Sequence, residues 1–211
     1  MTPGGIERPY DRPKRLLDII GASLALVVLS PVIAVVGILV AVKLGRPVLF
    51  QQERPGKDGK IFKLRKFRSM MNPDAARGLI SDEDRLTSFG RALRATSLDE
   101  LPTLVNVVKG EMSIVGPRPL LVQYLKRYTP AQARRHEVRP GVTGLAQASG
   151  RNSLSWEDKF ALDVEYVDTR SIMLDSRVIG MTVRSLLKRN GITEDGHATA
   201  REFAGTSGDG R

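Results

Sequence analysis

The sequence has no cysteine and very few residues that could replace it as a metal ligand. Its 211 residues include no Cys and only two histidines, His136 and His197, for which structural roles are expected. Disulfides, thiol nucleophiles and metal cages built from Cys or His are therefore excluded. Any metal must be held mainly by oxygen ligands, which indicates a hard cation such as Mg²⁺.

Aromatic residues are scarce, and acidic residues are outnumbered by basic ones. Aromatics make up 5% and hydrophobic residues 41% of the chain, which fits one globular domain with accessory segments. The chain has 33 Lys and Arg against 23 Asp and Glu, for a net charge of +10. This excess favours anionic partners, among which nucleic acid, lipid headgroups and phosphorylated small molecules all qualify.

One long stretch, residues 19–42, carries no charge at all. As a straight helix it would be long enough to span a hydrocarbon core of about 30 Å. Ser30 and Pro31 lie at its middle and predict a kink, because proline lacks the N–H that continues a helix. Basic residues flank both ends, so the positive-inside rule favours a re-entrant hairpin, with a kinked single span as the alternative. These residues are Arg8, Arg12, Lys14 and Arg15 before the run, and Lys43, Arg46, Arg54 and Lys57 after it.

Beyond this run the patterns predict an α+β domain that is mostly helical. Two short strands are expected in VLFQQERPGKDGKIFKLRKFRSM, joined by a turn at residues 55–59. Residues 171–189 have the pattern of an amphipathic helix that lies on a membrane or covers the core. Other helices are expected over residues 87–94, 102–109, 119–127, 130–137 and 155–167, with a loop and helical piece over 72–85 and a glycine-punctuated loop over 139–152.

Two adjacent carboxylates, Asp99 and Glu100, stand ahead of a glycine and proline cluster. Ser97 and Glu100 have the spacing of a capping box, which would give Glu100 a structural role. Pro102 argues against this, because it would fall in the second turn of a helix capped by Ser97. A helix that begins near Pro102 leaves both carboxylates at its positive end, where an ionised carboxylate could act as a nucleophile or a Mg²⁺ ligand.

Several basic residues stand in motifs suited to phosphate recognition. Arg118 lies on a proline-flanked turn, GPRP, which suits bidentate binding of phosphate. Arg139 and Arg151 flank the glycines of RPGVTGLAQASGRN, whose backbone N–H groups could approach phosphate oxygens. Each signal is weak alone, since none matches a known phosphate-loop spacing, and Lys66 and Arg68 could belong to a solvated strand face.

Together the motifs resemble one family. The broken apolar run, FQQERPGKDGKIFKLRKFRSM, TSLDELPTLVNVVKGEMSIVGPRP and RPGVTGLAQASGRN, in this order, resemble the bacterial sugar transferase family of monotopic phosphoglycosyl transferases. The resemblance runs from about Arg15 to about Phe203. The compact length and the closing GITEDGHATAREF are most similar to members that transfer bacillosamine phosphate in bacterial protein N-glycosylation. Leu145, where many relatives have Trp, and Ala148-Ser149, in place of Val-Asn, depart from the common pattern.

The resemblance implies a reaction and assigns residues to it. A phosphosugar would pass from a UDP-sugar to undecaprenyl phosphate, giving an undecaprenyl diphosphate sugar and UMP, with Mg²⁺ as cofactor. Asp99 would be the nucleophile that forms a covalent phosphosugar intermediate, with Glu100 as its dyad partner and both as metal ligands. Ser30 and Pro31 would form the membrane kink. The expected substrate- and phosphate-binding residues are Arg94, Arg118, Arg139, Arg151, Lys66 and Arg68.

The implied organisation is a membrane-anchoring re-entrant segment over residues 1–45, a catalytic domain over 46–190 with amphipathic interfacial helices, and a flexible tail over 191–211. The protein would lie on the cytoplasmic face of the bacterial inner membrane. Its expected partners are the UDP-sugar, undecaprenyl phosphate and membrane lipids. Nucleic acid is not an expected partner, and a homodimer is compatible with the sequence.

The expected donor is UDP-N,N'-diacetylbacillosamine or a related UDP-N-acetyl amino sugar. One alternative keeps the chemistry but uses a UDP-hexose or UDP-N-acetylhexosamine to initiate capsule, exopolysaccharide or lipopolysaccharide synthesis. An alternative of another class is a non-enzymatic, membrane-anchored scaffold.

Overall fold

The computed structural model describes residues 7–150, 154–188, 202, 203 and 205, and confirms the α+β, mostly helical class. Apart from Glu202, Phe203 and Gly205, the predicted flexible tail lies outside the described residues. The strands are β1 Leu49–Pro55, β2 Ile61–Phe67, β3 Ser113–Val115 and β4 Gly141–Thr143. The helices are α1 Asp11–Val28, α2 Ser30–Leu44, α3 Asp82–Arg85, α4 Ser88–Ala95, α5 Thr103–Lys109, α6 Pro130–Ala133, α7 Leu145–Ser149, α8 Trp156–Thr169 and α9 Ile172–Lys188. Short 3₁₀ segments cover Lys57–Gly59, Ala75–Arg77, Leu98–Glu100, Val122–Lys126 and Arg134–Glu137.

The apolar run forms two helices that meet at a sharp bend. Helices α1 and α2 are bent by 64°, and Pro31 occupies the first turn of α2. At the break Ser30 Oγ donates to Val27 O at 2.8 Å, so the hydroxyl satisfies a carbonyl there. Within the described residues no single helix is long and apolar enough to cross a membrane, whereas α1 and α2 together pass that test of length and composition.

Strands β1 and β2 form the predicted antiparallel hairpin, with register from Leu49↔Phe67 to Pro55↔Ile61. In β2 the buried side chains of Phe62 and Leu64 alternate with exposed positions, because successive residues of a strand face opposite sides. Phe62 and Leu64 pack with α1 and α5 in one apolar cluster of the core. The hairpin therefore supports the helix that follows the carboxylate pair.

Helix α5 is fastened to β2 by two buried polar side chains. Asn106 is 0% exposed, accepts from Arg65 N at 3.1 Å and donates to Lys63 O at 2.8 Å. Thr103 Oγ1 donates to Arg65 O at 3.0 Å. These side chains use backbone groups at the edge of β2, which pairs only with β1 among the described strands. The hydrogen bonds thus fix the position of α5 along the strand.

Strands β3 and β4 run parallel and meet at a point where only glycine fits. A Cβ on Gly141 would lie 2.2 Å from Gly116 N, and one on Gly144 would lie 2.2 Å from Gly116 O. The glycines of this segment thus allow two backbones to pack together. The prediction of a glycine-punctuated loop over residues 139–152 is wrong, because β4 pairs with β3 there and α7 follows it.

The helix predicted over residues 119–127 is reduced to the 3₁₀ segment Val122–Lys126. Side chains from elsewhere bind the carbonyls that would have begun that helix. Arg135 donates to Arg118 O, and Arg54 donates to Pro119 O. The chain therefore turns before it can form regular helical hydrogen bonds.

Replacing Asn106 by Ala should destabilise the protein, because Lys63 O and Arg65 N would lose their partner inside the core. We expect a loss of about 2–4 kcal/mol, which lowers the melting temperature by roughly 5–15 °C in a chain of this size. The control is Gln51→Ala on the exposed face of β1, which should change the melting temperature by less than about 2 °C. Thermal unfolding in detergent measures both, and equal shifts would contradict the assignment.

Candidate active site

The two adjacent carboxylates lie in a short 3₁₀ turn, Leu98–Glu100, ahead of helix α5. Ser97 precedes the turn in the left-handed region, with φ of 55°. Within the described part of the chain Ser97 makes no capping hydrogen bond, so the capping-box alternative for Glu100 is wrong. Helix α5 begins just after Pro102, as predicted, and leaves both carboxylates outside its regular turns.

Asp99 is a buried carboxyl group, only 9% exposed, and its pKa is raised to about 6. Burial is the main cause because it disfavours the charged form, and the negative charge of Glu100 adds to the rise. The positive charges of Lys66, Arg94 and Arg118 oppose it. Asp99 is therefore mostly ionised at neutral pH although its charge is costly, as is typical of activated catalytic groups.

Three of the predicted basic residues converge on the carboxylate pair. Lys66 of β2 forms an ion pair with Glu100 Oε1, and Arg118 places Nη2 3.8 Å from the same oxygen. Arg94 of α4 lies close enough to Asp99 for their charges to interact, and its Nε donates to Ser69 Oγ at 2.9 Å. Cations from a strand, a helix and a turn therefore surround two acidic groups. Such a site is suited to an anionic substrate.

Arg54 is a further cation of this region that sequence reasoning counted only among the basic residues after the apolar run. Its Nη1 donates to Pro119 O at 3.3 Å, and its Nη2 donates to Gln52 Oε1 at 2.6 Å. Burial, together with the nearby charge of Arg118, lowers the pKa of Arg54 to about 10. No local pattern marks Arg54, because its place beside Arg118 depends on a contact between distant parts of the chain.

Two other predicted phosphate-binding residues direct hydrogen bonds to the ends of helices. The guanidinium of Arg68 is buried and donates to carbonyls at the end of α2. Arg139 Nε donates to Gly110 O, just after α5, at 2.9 Å. Arg151 lies outside the described residues. The phosphate contacts expected of these three arginines stay predictions.

The donor set of the carboxylate pair fits a hard divalent cation. Mg²⁺ usually takes one or two carboxylates and completes its coordination with water and substrate phosphates. Asp99 and Glu100 supply adjacent carboxylates, and the repulsion that helps to raise the pKa of Asp99 is one that a cation would relieve. The described ranges contain no group of three or more Asp, Glu, His or Cys residues that could hold a metal, so any cation here would rely on this pair together with water and phosphate oxygens.

A buried Asp99 and a half-buried Glu100 with cations around them form a site of the class that binds a phosphorylated or otherwise anionic substrate. The model of one protein family, described as bacterial sugar transferase, matches residues 10–189. The chain therefore belongs to the bacterial sugar transferase family, which confirms the family and the enzyme class predicted from the sequence.

Individual relatives differ in how much of their length the chain covers. It is 52% identical to "Uncharacterized sugar transferase EpsL" of Bacillus subtilis, over 93% of this chain and 97% of that protein. It is 38% identical to "UDP-glucose:undecaprenyl-phosphate glucose-1-phosphate transferase" of Caulobacter vibrioides, over 89% and 75% respectively. With "Galactosyl transferase CpsE" of Streptococcus agalactiae it shares 39% identity over 84% of this chain but only 43% of that protein.

Replacing Asp99 by Asn should stabilise the protein above about pH 6. The pKa of Asp99 is raised from its ordinary 3.8 in the folded protein, so folding favours the protonated group. The carboxyl therefore costs stability as pH rises through the window from about 4 to about 6. Neutral Asn avoids this cost, which amounts to about 2–3 kcal/mol at about pH 8. At about pH 4 the variant and the wild type should have nearly the same stability.

Melting temperatures measured with EDTA at about pH 8 and about pH 4 check this expectation. The control is Asp58→Asn in the exposed hairpin turn, where Asn tolerates the left-handed backbone. If Asp99→Asn melted at the wild-type temperature at the higher pH, the raised pKa would be refuted.

Proposed function

We propose that this chain transfers a phosphosugar from a UDP-sugar to undecaprenyl phosphate, releasing UMP and forming an undecaprenyl diphosphate sugar. The observation that carries the proposal is the buried carboxylate of Asp99 among Lys66, Arg94 and Arg118. A relative that is 38% identical is named for this type of transfer. Both substrates are anionic, which suits the net charge of +10.

The proposed chemistry has two displacements at one phosphorus atom. In the first, an ionised oxygen of Asp99 attacks the β-phosphorus of the UDP-sugar, the bond to the bridging oxygen breaks, and UMP leaves with the electron pair. In the second, an oxygen of undecaprenyl phosphate attacks the same phosphorus. The bond to Asp99 then breaks and returns the electron pair to the carboxylate. A covalent intermediate thus divides one difficult exchange into two in-line steps.

The surrounding side chains would favour the ionised form of Asp99 and bind the diphosphate. Arg94 favours the ionised form of Asp99 electrostatically, and Lys66 holds Glu100, the dyad partner, in place. The side chain of Arg118 is 50% exposed, so its guanidinium can reach a phosphate and bind it bidentately. Asp99 and Glu100 would hold Mg²⁺, which when bound neutralises charge on the diphosphate.

We further propose that α1 and α2 form a re-entrant pair at the cytoplasmic face of the bacterial inner membrane. The bend of 64° and the basic residues at both ends of the pair support this topology. Apolar side chains on the pair are exposed, among them Leu24, Val27, Val28, Ile38 and Val42. Helix α9 exposes an apolar and basic set typical of an interfacial helix, Ile172, Met173, Ile179, Val183, Arg177 and Arg184. A homodimer stays a prediction.

The identity of the donor sugar is a separate part of the proposal. The names of two of these relatives refer to galactose and glucose, which favours a UDP-hexose and initiation of a polysaccharide. The resemblance of the closing segment favours UDP-N,N'-diacetylbacillosamine. A panel of UDP-glucose, UDP-galactose, UDP-N-acetylglucosamine and UDP-N,N'-diacetylbacillosamine, assayed for UMP release, decides between them. Clear preference for a hexose or N-acetylhexosamine donor would overturn the bacillosamine assignment.

Replacing Asp99 by Asn should abolish turnover, because the amide is a poor nucleophile. We expect UMP release to fall by at least ~10³-fold. Incubation with a UDP-sugar but no acceptor should add one phosphosugar to the intact mass of the wild type and none to the mass of the variant. The control Asp58→Asn should react like the wild type. Undiminished UMP release by Asp99→Ala would overturn the mechanism, and a wild type inactive across the donor panel would favour the scaffold.

Single cysteines placed at Thr2 and Asp58 should both react with an impermeant maleimide only from the cytoplasmic side. The chain has no native cysteine, so each label reports one position. Because the two positions flank the apolar run, a re-entrant pair puts them on the same side of the membrane. Cysteine at exposed Glu157 serves as the cytoplasmic standard. Labelling of Thr2→Cys and Asp58→Cys from opposite sides would show a true span.

A further inference from the structure

The turn that carries Arg118 is held by its backbone carbonyls. Arg135 Nη2 donates to Arg118 O at 2.7 Å, and Arg54 Nη1 donates to Pro119 O at 3.3 Å. Two successive carbonyls are thus bound by guanidiniums from distant parts of the chain. The orientation of the turn therefore depends on side chains that lie outside it.

Arg135 is the more firmly fixed of these two guanidiniums. It is 2% exposed, and its Nε and Nη2 donate to Asp163 Oδ2 at 3.0 and 2.7 Å. Its Nη1 donates to Tyr128 OH at 3.1 Å, and its guanidinium carbon lies 5.5 Å from the centre of the Phe160 ring. Buried ion pairs of this kind contribute little net stability compared with apolar packing, but they impose a defined geometry.

The side chain of Arg118 needs such support because few contacts with the described residues restrain it. It is 50% exposed, and its Nη2 lies 3.8 Å from Glu100 Oε1, beyond hydrogen-bonding distance. The positive charge of Arg54 also lies close enough to repel it. A guanidinium in this situation is directed mainly by the position of its own backbone.

We propose that Arg135, held by Asp163, is a positioning residue that directs Arg118 towards the diphosphate of the UDP-sugar. The proposal rests on the function proposed above. It assigns Arg135 no contact with substrate, since its guanidinium is buried and all three of its nitrogens donate to protein atoms. The competing explanation is that Arg135 only joins its 3₁₀ segment to α8.

A double-mutant cycle separates positioning from mere folding. Arg135→Lys keeps the positive charge beside Asp163 but loses the planar fork that also reaches Arg118 O. We expect it to lower kcat/KM about tenfold, mainly through KM for the UDP-sugar. In the Arg118→Ala background the same substitution should lower kcat/KM by less than about twofold, because the residue that it positions is gone. KM for undecaprenyl phosphate should stay close to the wild-type value.

Arg134→Lys is the matched control, because Arg134 is adjacent but pairs with Asp168 and Glu137 near the surface. It should leave all kinetic constants within about twofold of the wild type. Equilibrium titration with UDP adds a measurement that does not require turnover. Arg135→Lys should weaken UDP binding about tenfold and Arg134→Lys should not.

Tyr128→Phe supplies a second, milder variant if Arg135→Lys fails to fold. It removes only the hydroxyl that binds Arg135 Nη1. We expect it to lower kcat/KM about two- to fivefold, and to have a smaller effect in the Arg118→Ala background. Equal effects with and without Arg118, or wild-type binding of UDP by both variants, would overturn the positioning role. Failure of the proposed function is distinguishable, because then either the wild type would release no UMP with any donor or Asp99→Ala would release UMP like the wild type.

Discussion

The position of the carboxylate pair depends on the hydrogen bonds that fasten α5 to the edge of β2. Apolar packing alone tolerates sliding of a helix along a strand, because it has no preferred direction. Asn106 and Thr103 remove that freedom, since each must reach a particular backbone group of Lys63 or Arg65. The next residue of β2 is Lys66, so the same register brings its ammonium group to Glu100.

Asp99 carries a negative charge at a buried position, where burial by itself favours the neutral carboxyl group. Burial and Glu100 raise the pKa of Asp99, whereas Lys66, Arg94 and Arg118 lower it. The balance leaves a carboxylate that is ionised at neutral pH but is only partly solvated. Poorly solvated anions make better nucleophiles, and the stability that such a site sacrifices is a recurrent cost of function. Phosphate groups that enter the site would meet cations already in place.

Sequence reasoning succeeded where the cause of structure is local. The hairpin follows from alternation and a glycine-containing turn, and the break between α1 and α2 follows from the missing N–H of Pro31. It failed where the structure of a segment depends on a contact with a distant part of the chain. The helix expected over residues 119–127 is cut short by Arg54 and Arg135, and part of the glycine-rich loop becomes β4 because β3 lies beside it.

The candidate site divides in the same way. Asp99, Glu100, Lys66, Arg94 and Arg118 could be named because they stand in motifs that a known family shares. Arg54, Asn106 and Arg135 could not be assigned to it, since no spacing in the sequence shows which backbone carbonyl or N–H group a side chain will reach. Tertiary hydrogen bonds of this kind become visible only in the folded chain.

The first helix connects the proposed membrane segment to the chemistry. Arg15 of α1 donates to Val107 O at 2.6 Å and to Val108 O at 2.9 Å, close to the end of α5. Asp18, buried on the same helix, accepts from Ile114 N at 3.0 Å. Helix α1 is thus joined to α5 through Arg15 and to β3 through Asp18 by charge-assisted hydrogen bonds, which are stronger than neutral ones.

In the proposed topology this connection sets the depth of Asp99 relative to the membrane. A water-soluble UDP-sugar can approach at any depth, but the phosphate of undecaprenyl phosphate is confined to the headgroup layer by its lipid chain. The second displacement therefore requires the carboxylate to stay at that layer. A rigid joint between α1 and α5 meets this requirement without any segment that spans the bilayer.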